Sequence, residues 1–177
     1  MRPILATKTI GVMGSGTDEH IGLANELGTL LARLGVNLLT GAGRGVMTSV
    51  SRAFTKSKRT RGICIGIVPC VPGDRTVPKE GYPNPYVELA IFTHLPKTAD
   101  EGTHPLSRNH INVLSSTAVV VLPGGKGTAS EVSLALKYEK PLIVYAPEPR
   151  LAHSFPKAVR RATTIQEVHD FLRALVD

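Results

Sequence analysis

The sequence predicts an α/β fold, a Rossmann-like three-layer sandwich with a mostly parallel sheet flanked by helices. Two observations carry this prediction. Strands and helices alternate along the chain, as they do where crossover helices connect parallel strands. The strands are continuous apolar runs, which is typical of strands covered on both faces. The length of 177 residues suits one domain of ordinary size, so we expect a single domain over 1–177.

The first half of the chain is predicted to contain three strands and two helices. Its strands are apolar runs that stop at a Gly or a Pro, and they cover 9–13, 36–40 and 62–68. Apolar residues recur three or four positions apart between the first two strands, at Ile21, Ala24, Leu27, Leu31 and Leu34. This spacing predicts a helix with Thr17 or Asp18 as its N-cap and Gly35 as its stop. A second helix is expected over 46–55.

The second half repeats this alternation after a long irregular part. Pro and Gly make 69–84 a predicted loop, and a second irregular stretch covers 93–105. The predicted strands are 87–92, 118–122 and 141–145. Helices are predicted over 107–116, from the loop after 122 to about Tyr138, and at the C-terminus. A capping-box pattern, Thr164 followed by Glu167, opens that terminal helix.

Charge and aromatic content favour a small ligand over nucleic acid. The formal net charge of +7 would suit a phosphate backbone. Aromatic residues make up only 5% of the chain, however, and Trp is absent, which leaves few side chains for stacking on bases. A small anionic ligand accounts for the positive excess equally well. We therefore predict a small phosphorylated ligand as the partner.

The sequence also predicts a cytoplasmic protein without membrane attachment. No apolar run approaches the roughly 18 residues of a membrane span. Residues 1–6 are too short and too quickly polar for a secretory signal. Cys64 and Cys70 do not have the spacing of a metal or redox motif, and the six histidines lack metal-ligand spacing. We expect no metal site of the protein's own.

Three glycine loops follow three of the predicted strands and lead into helices. They are Gly14-Ser15-Gly16-Thr17, Gly41-Ala42-Gly43-Arg44-Gly45 and Gly124-Gly125-Lys126-Gly127-Thr128. Glycine lets the backbone approach a ligand closely, and the helix that follows presents free N–H groups to an anion. Because ligands bind at the carboxyl ends of parallel strands, the three loops together predict a phosphate site.

Two better-known phosphate motifs are excluded. The Gly-x-x-x-x-Gly-Lys-Ser/Thr pattern of a Walker loop is absent, and the loop at Gly14 continues to Glu19 without completing Gly-x-Gly-x-x-Gly. The second strand ends in Thr40, where a dinucleotide fold has an acid for the ribose. We therefore do not expect NAD as a cofactor.

Four side chains near the loops are open to two interpretations each. Arg44 and Lys126 lie within loops, where each either faces a phosphate or is solvated. Arg108 opens a helix, where the helix dipole disfavours a cation, so it needs an anionic ligand or a carboxylate such as Glu131 as a partner. Thr128 and Glu131 match a capping box. Alternatively, Glu131 holds a ribose hydroxyl or stabilises positive charge on a sugar, as carboxylates do in glycosidic cleavage.

The sequence Pro-Gly-Gly-Lys-Gly-Thr-Ala-Ser-Glu at 123–131 resembles the Pro-Gly-Gly-x-Gly-Thr-x-x-Glu motif of the Lonely Guy superfamily, many of whose members were once called lysine decarboxylases. The resemblance implies a phosphoribohydrolase that releases a free base and ribose 5-phosphate from a nucleotide, with Arg108 and Glu131 as catalytic residues. The family arginine lies fifteen residues before the motif proline, as Arg108 does before Pro123. Asn109 stands where the family has a lysine.

A sister branch, the molybdenum cofactor carrier proteins, resembles the chain more closely. Residues 108–116 reproduce its Arg-x-x-Ile-Asn-x-Leu-Ser-Ser stretch, and 11–14, 38–41 and 45–47 are also similar to it. The resemblance implies that molybdenum cofactor is the bound ligand, with Asn109 and Asn112 among the binding residues. It also implies a homodimer or larger homo-oligomer. The segment 71–105 is longer than expected of a carrier.

Three functions therefore follow from the sequence. The first is a carrier in which the glycine loops hold the cofactor phosphate while Arg44, Arg108 and Lys126 neutralise its charge. The second is the phosphoribohydrolase, and the third is a nucleotide-sensing module without activity. The long segment 71–105 is a candidate cover for the site in the first case.

Overall fold

The computed structural model describes residues 7–58, 61–152 and 155–176. Residues 1–6, on which the prediction about a secretory signal rests, lie outside them. The strands are β1 (Thr9–Met13), β2 (Asn37–Thr40), β3 (Cys64–Val68), β4 (Cys70–Val71), β5 (Asp74–Pro78), β6 (Leu89–Phe92), β7 (Ala118–Val121), β8 (Leu142–Tyr145) and β9 (Arg160–Ala162). The α-helices are α1 (Ile21–Leu34), α2 (Val46–Lys56), α3 (Asn109–Leu114), α4 (Lys126–Lys137) and α5 (Ile165–Val176).

Seven of these strands form one parallel sheet in the order β6-β3-β2-β1-β7-β8-β9. Helices cover both faces, which confirms the predicted three-layer α/β fold. Side chains of β1 alternate between the two cores. Ile10 and Val12 pack with Leu31 of α1 and Phe54 of α2 on one face. Met13 packs with Val132 of α4 on the other.

The order of the strands reverses at β1, which determines where a ligand can enter. From β1 the chain proceeds outward through β2, β3 and β6 on one side, and then through β7, β8 and β9 on the other. The loops that leave β1 and β7 therefore diverge from adjacent strand ends. A crevice opens between such loops, and it is the usual ligand site of doubly wound sheets.

The start of α1 differs from the prediction. The helix begins at Ile21 after His20, whose φ of 41° is left-handed, and no side chain caps it. Thr17 and Asp18 lie too far before the helix to cap it, in a turn where their backbone N–H groups donate to the Oγ of Ser15 at 3.2 and 2.8 Å. The loop after β1 thus forms its own serine turn before the helix starts.

Two other predicted helix signals are confirmed, at Gly35 and at Thr164. Gly35 ends α1 with a φ of 70°, and its N–H donates to the carbonyl of Ala32. At α5, the N–H of Thr164 donates to the carboxylate of Glu167 at 3.0 Å, and the N–H of Glu167 donates to the Oγ1 of Thr164 at 3.3 Å. This is the reciprocal pair of a capping box.

Two strand features were absent from the prediction. The loop predicted over 69–84 contains the short antiparallel pair β4–β5, and β9 forms the edge of the main sheet beside β8. Arg160 and Arg161 of β9 are exposed. Charged residues on a three-residue edge strand break the apolar pattern on which strand prediction depends.

No helix among residues 7–58, 61–152 and 155–176 combines the length and apolar character that crossing a bilayer requires.

Candidate functional site

A cavity of about 280 Å³ lies at the carboxyl ends of β1, β2 and β7, at the point where the strand order reverses. Its lining residues are Val12, Met13, Gly14, Ser15, Gly16, Thr17, Gly41, Met47, Lys79, Tyr82, Thr98, Ala99, Arg108, Asn109, Gly125, Gly127, Thr128 and Glu131. All three glycine loops contribute to it. The volume is close to the lower end of the range for small-molecule sites.

Backbone hydrogen bonds hold the three loops against one another. The N–H of Ser15 donates to the carbonyl of Pro123 at 3.1 Å, which joins the loops after β1 and β7. The N–H of Val46 donates to the carbonyl of Ser15 at 2.9 Å, which joins the loop after β1 to the start of α2. The walls of the cavity are therefore fixed before any ligand enters.

Two glycines are required by this close packing. Gly45 has a φ of 64°, and a Cβ there would collide with the carbonyl oxygen of Ser15. A Cβ on Gly41 would collide with the guanidinium of Arg108. Glycine at these positions lets the second loop approach both the first loop and the buried arginine.

Arg108 is the most unusual side chain of the site. Only 6% of its surface is exposed, and it lines the cavity from the N-cap position of α3. Its Nε and Nη1 atoms are buried without a hydrogen-bond partner. The ring of Tyr82 lies beside it, with 5.7 Å between the guanidinium carbon and the ring centre. Buried charged donors without partners are costly, so the site is suited to an anion.

Glu131 faces the same cavity from α4 and is 8% exposed. The Nδ2 of Asn112 donates to its Oε1 at 3.0 Å. Burial raises the pKa of the Glu131 carboxyl to about 7, although the charge of Arg108 and the hydrogen bond from Asn112 both act to lower it. The site therefore holds a carboxyl group that changes its protonation state near neutral pH.

The capping-box interpretation of Thr128 and Glu131 is wrong. Helix α4 starts at Lys126, with Gly125 at the N-cap, so Thr128 lies inside the first turn. Glu131 is consequently one turn further along the helix than a capping residue, and its carboxylate accepts from Asn112. The glutamate belongs to the cavity, as the alternative interpretation required.

The N-terminus of α4 supplies backbone donors. The N–H of Ala129 donates to the carbonyl of Gly125 at 3.0 Å. The N–H groups that precede Ala129 have no helical carbonyl to reach, as at the start of every α-helix. Gly125, Gly127 and Thr128 all line the cavity, and a helix start of this kind attracts anions.

Several residues predicted for the site lie outside the cavity lining. Lys126 is exposed, and its Nζ bonds the Asp100 carboxylate at 2.9 Å. Arg44 is also exposed and lies against Gly81. Asn112 is fully buried behind Glu131. Gly43, Gly45 and Gly124 belong to the glycine loops but are not among the lining residues.

Seven lining residues were not predicted, and four of them belong to the long irregular segment. They are Val12, Met13, Met47, Lys79, Tyr82, Thr98 and Ala99. The segment leaves β3 at the same sheet edge as the glycine loops and returns over the cavity. The only available signal was that Tyr82 and Lys79 lie in a loop that follows a parallel strand, where ligand-binding residues often occur. No motif or periodicity distinguished those residues from their neighbours.

Among residues 7–58, 61–152 and 155–176 there is no group of three or more His, Cys, Asp or Glu side chains able to hold a metal ion.

Known proteins resemble this chain in sequence and in fold. The chain is 32% identical over 133 residues to an uncharacterised protein of Archaeoglobus fulgidus. That match covers 74% of this chain and 75% of the relative. It is similar in structure to the molybdenum cofactor binding protein of the phototrophic bacterium Rippkaea orientalis. That match has a TM-score of 0.74 and 31% identity, and it covers 98% of this chain and 99% of the other.

A second similar structure is the molybdenum cofactor carrier protein of Chlamydomonas reinhardtii. Its TM-score is 0.70 and its identity 30%, and the match covers 96% of this chain and 98% of that one. The predicted resemblance to the carrier proteins is thereby confirmed. The model of the SLOG cluster4 family matches residues 7–172, and the chain therefore belongs to the SLOG cluster4 family.

Proposed function

We propose that this protein is a molybdenum cofactor carrier, which binds the cofactor as cargo through its phosphate group. The observation that carries the proposal is Arg108, a buried guanidinium whose Nε and Nη1 lack partners inside the cavity. Leaving such a group unpaired destabilises the fold. A bound phosphate would satisfy it with charge-assisted hydrogen bonds.

The backbone at the start of α4 supports the same assignment. Gly125, Gly127 and Thr128 border the cavity where the helix dipole is positive. Ser15 to Thr17 border it from the loop after β1. The two loops and Arg108 thus surround one small space with donors, while Arg44 and Lys126 are exposed and outside its lining. Similarity to two molybdenum cofactor proteins favours this cofactor as the phosphorylated ligand.

The test is cofactor loading in a host that makes molybdenum cofactor. The protein would be purified anaerobically, and molybdenum and released pterin would be measured per chain. We expect both in wild type and at least a tenfold loss in Arg108→Gln, because charged hydrogen bonds contribute about 1.5–3 kcal/mol. Arg33→Gln, on the exposed side of α1, is the matched control. Equal loading of Arg108→Gln and wild type would contradict the proposal.

A second candidate is the phosphoribohydrolase, because Glu131 and Arg108 line the same cavity. A carboxylate in this position can stabilise an oxocarbenium-like transition state. Incubation with AMP, followed by chromatography for free adenine, tests this function. Base release that disappears in Glu131→Gln would establish it. If Asn109→Lys releases base and wild type does not, the wild-type site is a hydrolase site disabled by the absence of the family lysine. Binding of AMP with neither cleavage nor cofactor loading would favour the sensing module.

A further inference from the structure

We propose that Tyr82 is the platform on which a flat ring of the ligand stacks, so that the cavity selects phosphates that carry a planar heterocycle. This inference rests on the proposed phosphate site and adds the chemical class of the remaining part of the ligand. Pterins and purines both belong to that class. The platform comes from the long segment that had no recognisable motif.

The position of Tyr82 is the first argument. It is half-buried and lines the cavity, and it is the one aromatic residue among the lining residues that the structure describes. The guanidinium carbon of Arg108 lies over its ring, 5.7 Å from the centre, which places the ring next to the proposed phosphate partner. A ligand held by Arg108 therefore extends past the Tyr82 ring.

The ring is held in place by the loop that carries it. The N–H of Tyr82 donates to the carbonyl of Lys79 at 3.1 Å. Asn84 is 4% exposed, and its Nδ2 donates to the carbonyl of Gly43 at 3.1 Å. Its backbone N–H donates to the carbonyl of Ala42 at 2.8 Å. These bonds fix the Tyr82 loop to the glycine loop after β2, so the platform needs no ordering when a ligand arrives.

Gly43 explains how the ring and a neighbouring methionine come together. A Cβ at Gly43 would lie 2.8 Å from both the Tyr82 ring and the Met47 methyl group, so the two side chains cover the bare backbone. Together they form an apolar wall of the cavity. This wall offers an aromatic ring and the Met47 methyl group, while the Met47 sulfur accepts from the N–H of Gly43. Such apolar groups suit a heteroaromatic ring better than a phosphate or a sugar hydroxyl.

The cavity is therefore divided into two parts of different chemistry. One part consists of Arg108 and the backbone donors at Gly125, and it suits an anion. The other consists of Tyr82 and Met47, and it suits a flat ring. Stacking of a heterocycle on an aromatic side chain typically changes affinity by about tenfold or more, enough for the wall to distinguish a nucleotide from a sugar phosphate.

The experiment compares the affinity of three probes by calorimetry: AMP, a pterin monophosphate and ribose 5-phosphate. We expect Tyr82→Leu to weaken binding of AMP and the pterin phosphate about tenfold while ribose 5-phosphate is almost unaffected. Tyr82→Phe keeps the ring and should retain the affinity of both. Tyr86→Leu, in the same loop but outside the cavity lining, is the matched control. The fluorescence of the pterin should be quenched by wild type and much less by Tyr82→Leu.

Equal weakening of all three probes in Tyr82→Leu would overturn the proposal, because Tyr82 would then only support the loop. Wild-type affinities that do not differ between AMP and ribose 5-phosphate would overturn it as well. If the protein fails to load cofactor but its affinity for AMP and the pterin phosphate still depends on Tyr82, only the carrier function is refuted. Absence of binding of all three probes would refute both proposals.

Discussion

Arg108 illustrates at the level of one residue how a binding site lowers the stability of an empty protein. Its guanidinium is buried, and two of its nitrogens have no partner. A buried charge whose donors lack hydrogen-bond partners carries a desolvation cost, which an apolar side chain of similar length does not. We predict that Arg108→Met raises the melting temperature of the ligand-free protein, measured by calorimetry in phosphate-free buffer. Arg33→Met should have little effect, and a lower melting temperature for Arg108→Met would contradict the account.

Glu131 leads to a prediction about pH. The native carboxyl has a pKa of about 7, against an ordinary value of 4.5, so the native state binds more protons between these values. The free energy of unfolding therefore falls as the pH rises from about 4.5 to about 7. Glu131→Gln should remove this decrease and be more stable than wild type at pH 8 by about 1–3 kcal/mol.

Urea unfolding at pH 5 and pH 8 measures this effect of Glu131. The two proteins should differ much less at pH 5, where the native carboxyl is protonated and resembles the amide. Glu80→Gln, at an exposed position, controls for the general effect of removing a carboxylate. A stability difference between Glu131→Gln and wild type that is the same at both pH values would show that the carboxyl is not buried in its neutral form.

Gly41 provides a test of the packing around Arg108. A methyl group at this position would collide with the guanidinium, so we expect Gly41→Ala to displace Arg108 and weaken ribose 5-phosphate binding about tenfold. Gly22→Ala on α1 meets nothing within 4 Å and should leave binding unchanged while adding up to about 1 kcal/mol of stability. Unchanged affinity in Gly41→Ala would show that the arginine does not hold the phosphate.

At the level of elements, the start of α4 presents backbone N–H groups to the cavity, while the side chain of Lys126 at the same helix start lies outside the lining. Lys126 was expected either to face a phosphate or to be solvated, and its Nζ bonds the exposed carboxylate of Asp100. An exposed ion pair of this kind contributes about 0–1 kcal/mol. We predict that Lys126→Met changes ribose 5-phosphate affinity by less than about threefold, far less than Arg108→Gln. A loss as large as that of Arg108→Gln would show that Lys126 turns to the ligand.

Sequence periodicity predicted the elements well where local physics determines them. The apolar strands around β1 and β7 and the Gly35 and Glu167 signals are local patterns, and the structure confirms them. The start of α1 was missed because the Oγ of Ser15 accepts the N–H groups of Thr17 and Asp18 in a turn that precedes the helix. The capping box at Thr128 was wrong because α4 starts two residues before it.

At the level of the whole molecule, the glycine loops could be predicted as a site because parallel strands end at one edge. The reversal of strand order between β1 and β7, which opens the crevice, could only be expected from the fold class. Tyr82 and Lys79 could not be predicted, because their place in the lining depends on how the segment after β3 returns over that edge. The hydrogen bond from Asn84 to Gly43 that fixes this return leaves no pattern in the sequence.

The central claim is that the strand-end cavity binds a phosphate through Arg108. Calorimetric titration of ribose 5-phosphate into wild type, Arg108→Gln and Arg33→Gln tests it most directly. We predict saturable binding to wild type and to Arg33→Gln, and affinity lower by about tenfold or more in Arg108→Gln. Equal affinity of Arg108→Gln and wild type, with both proteins folded, would contradict the claim.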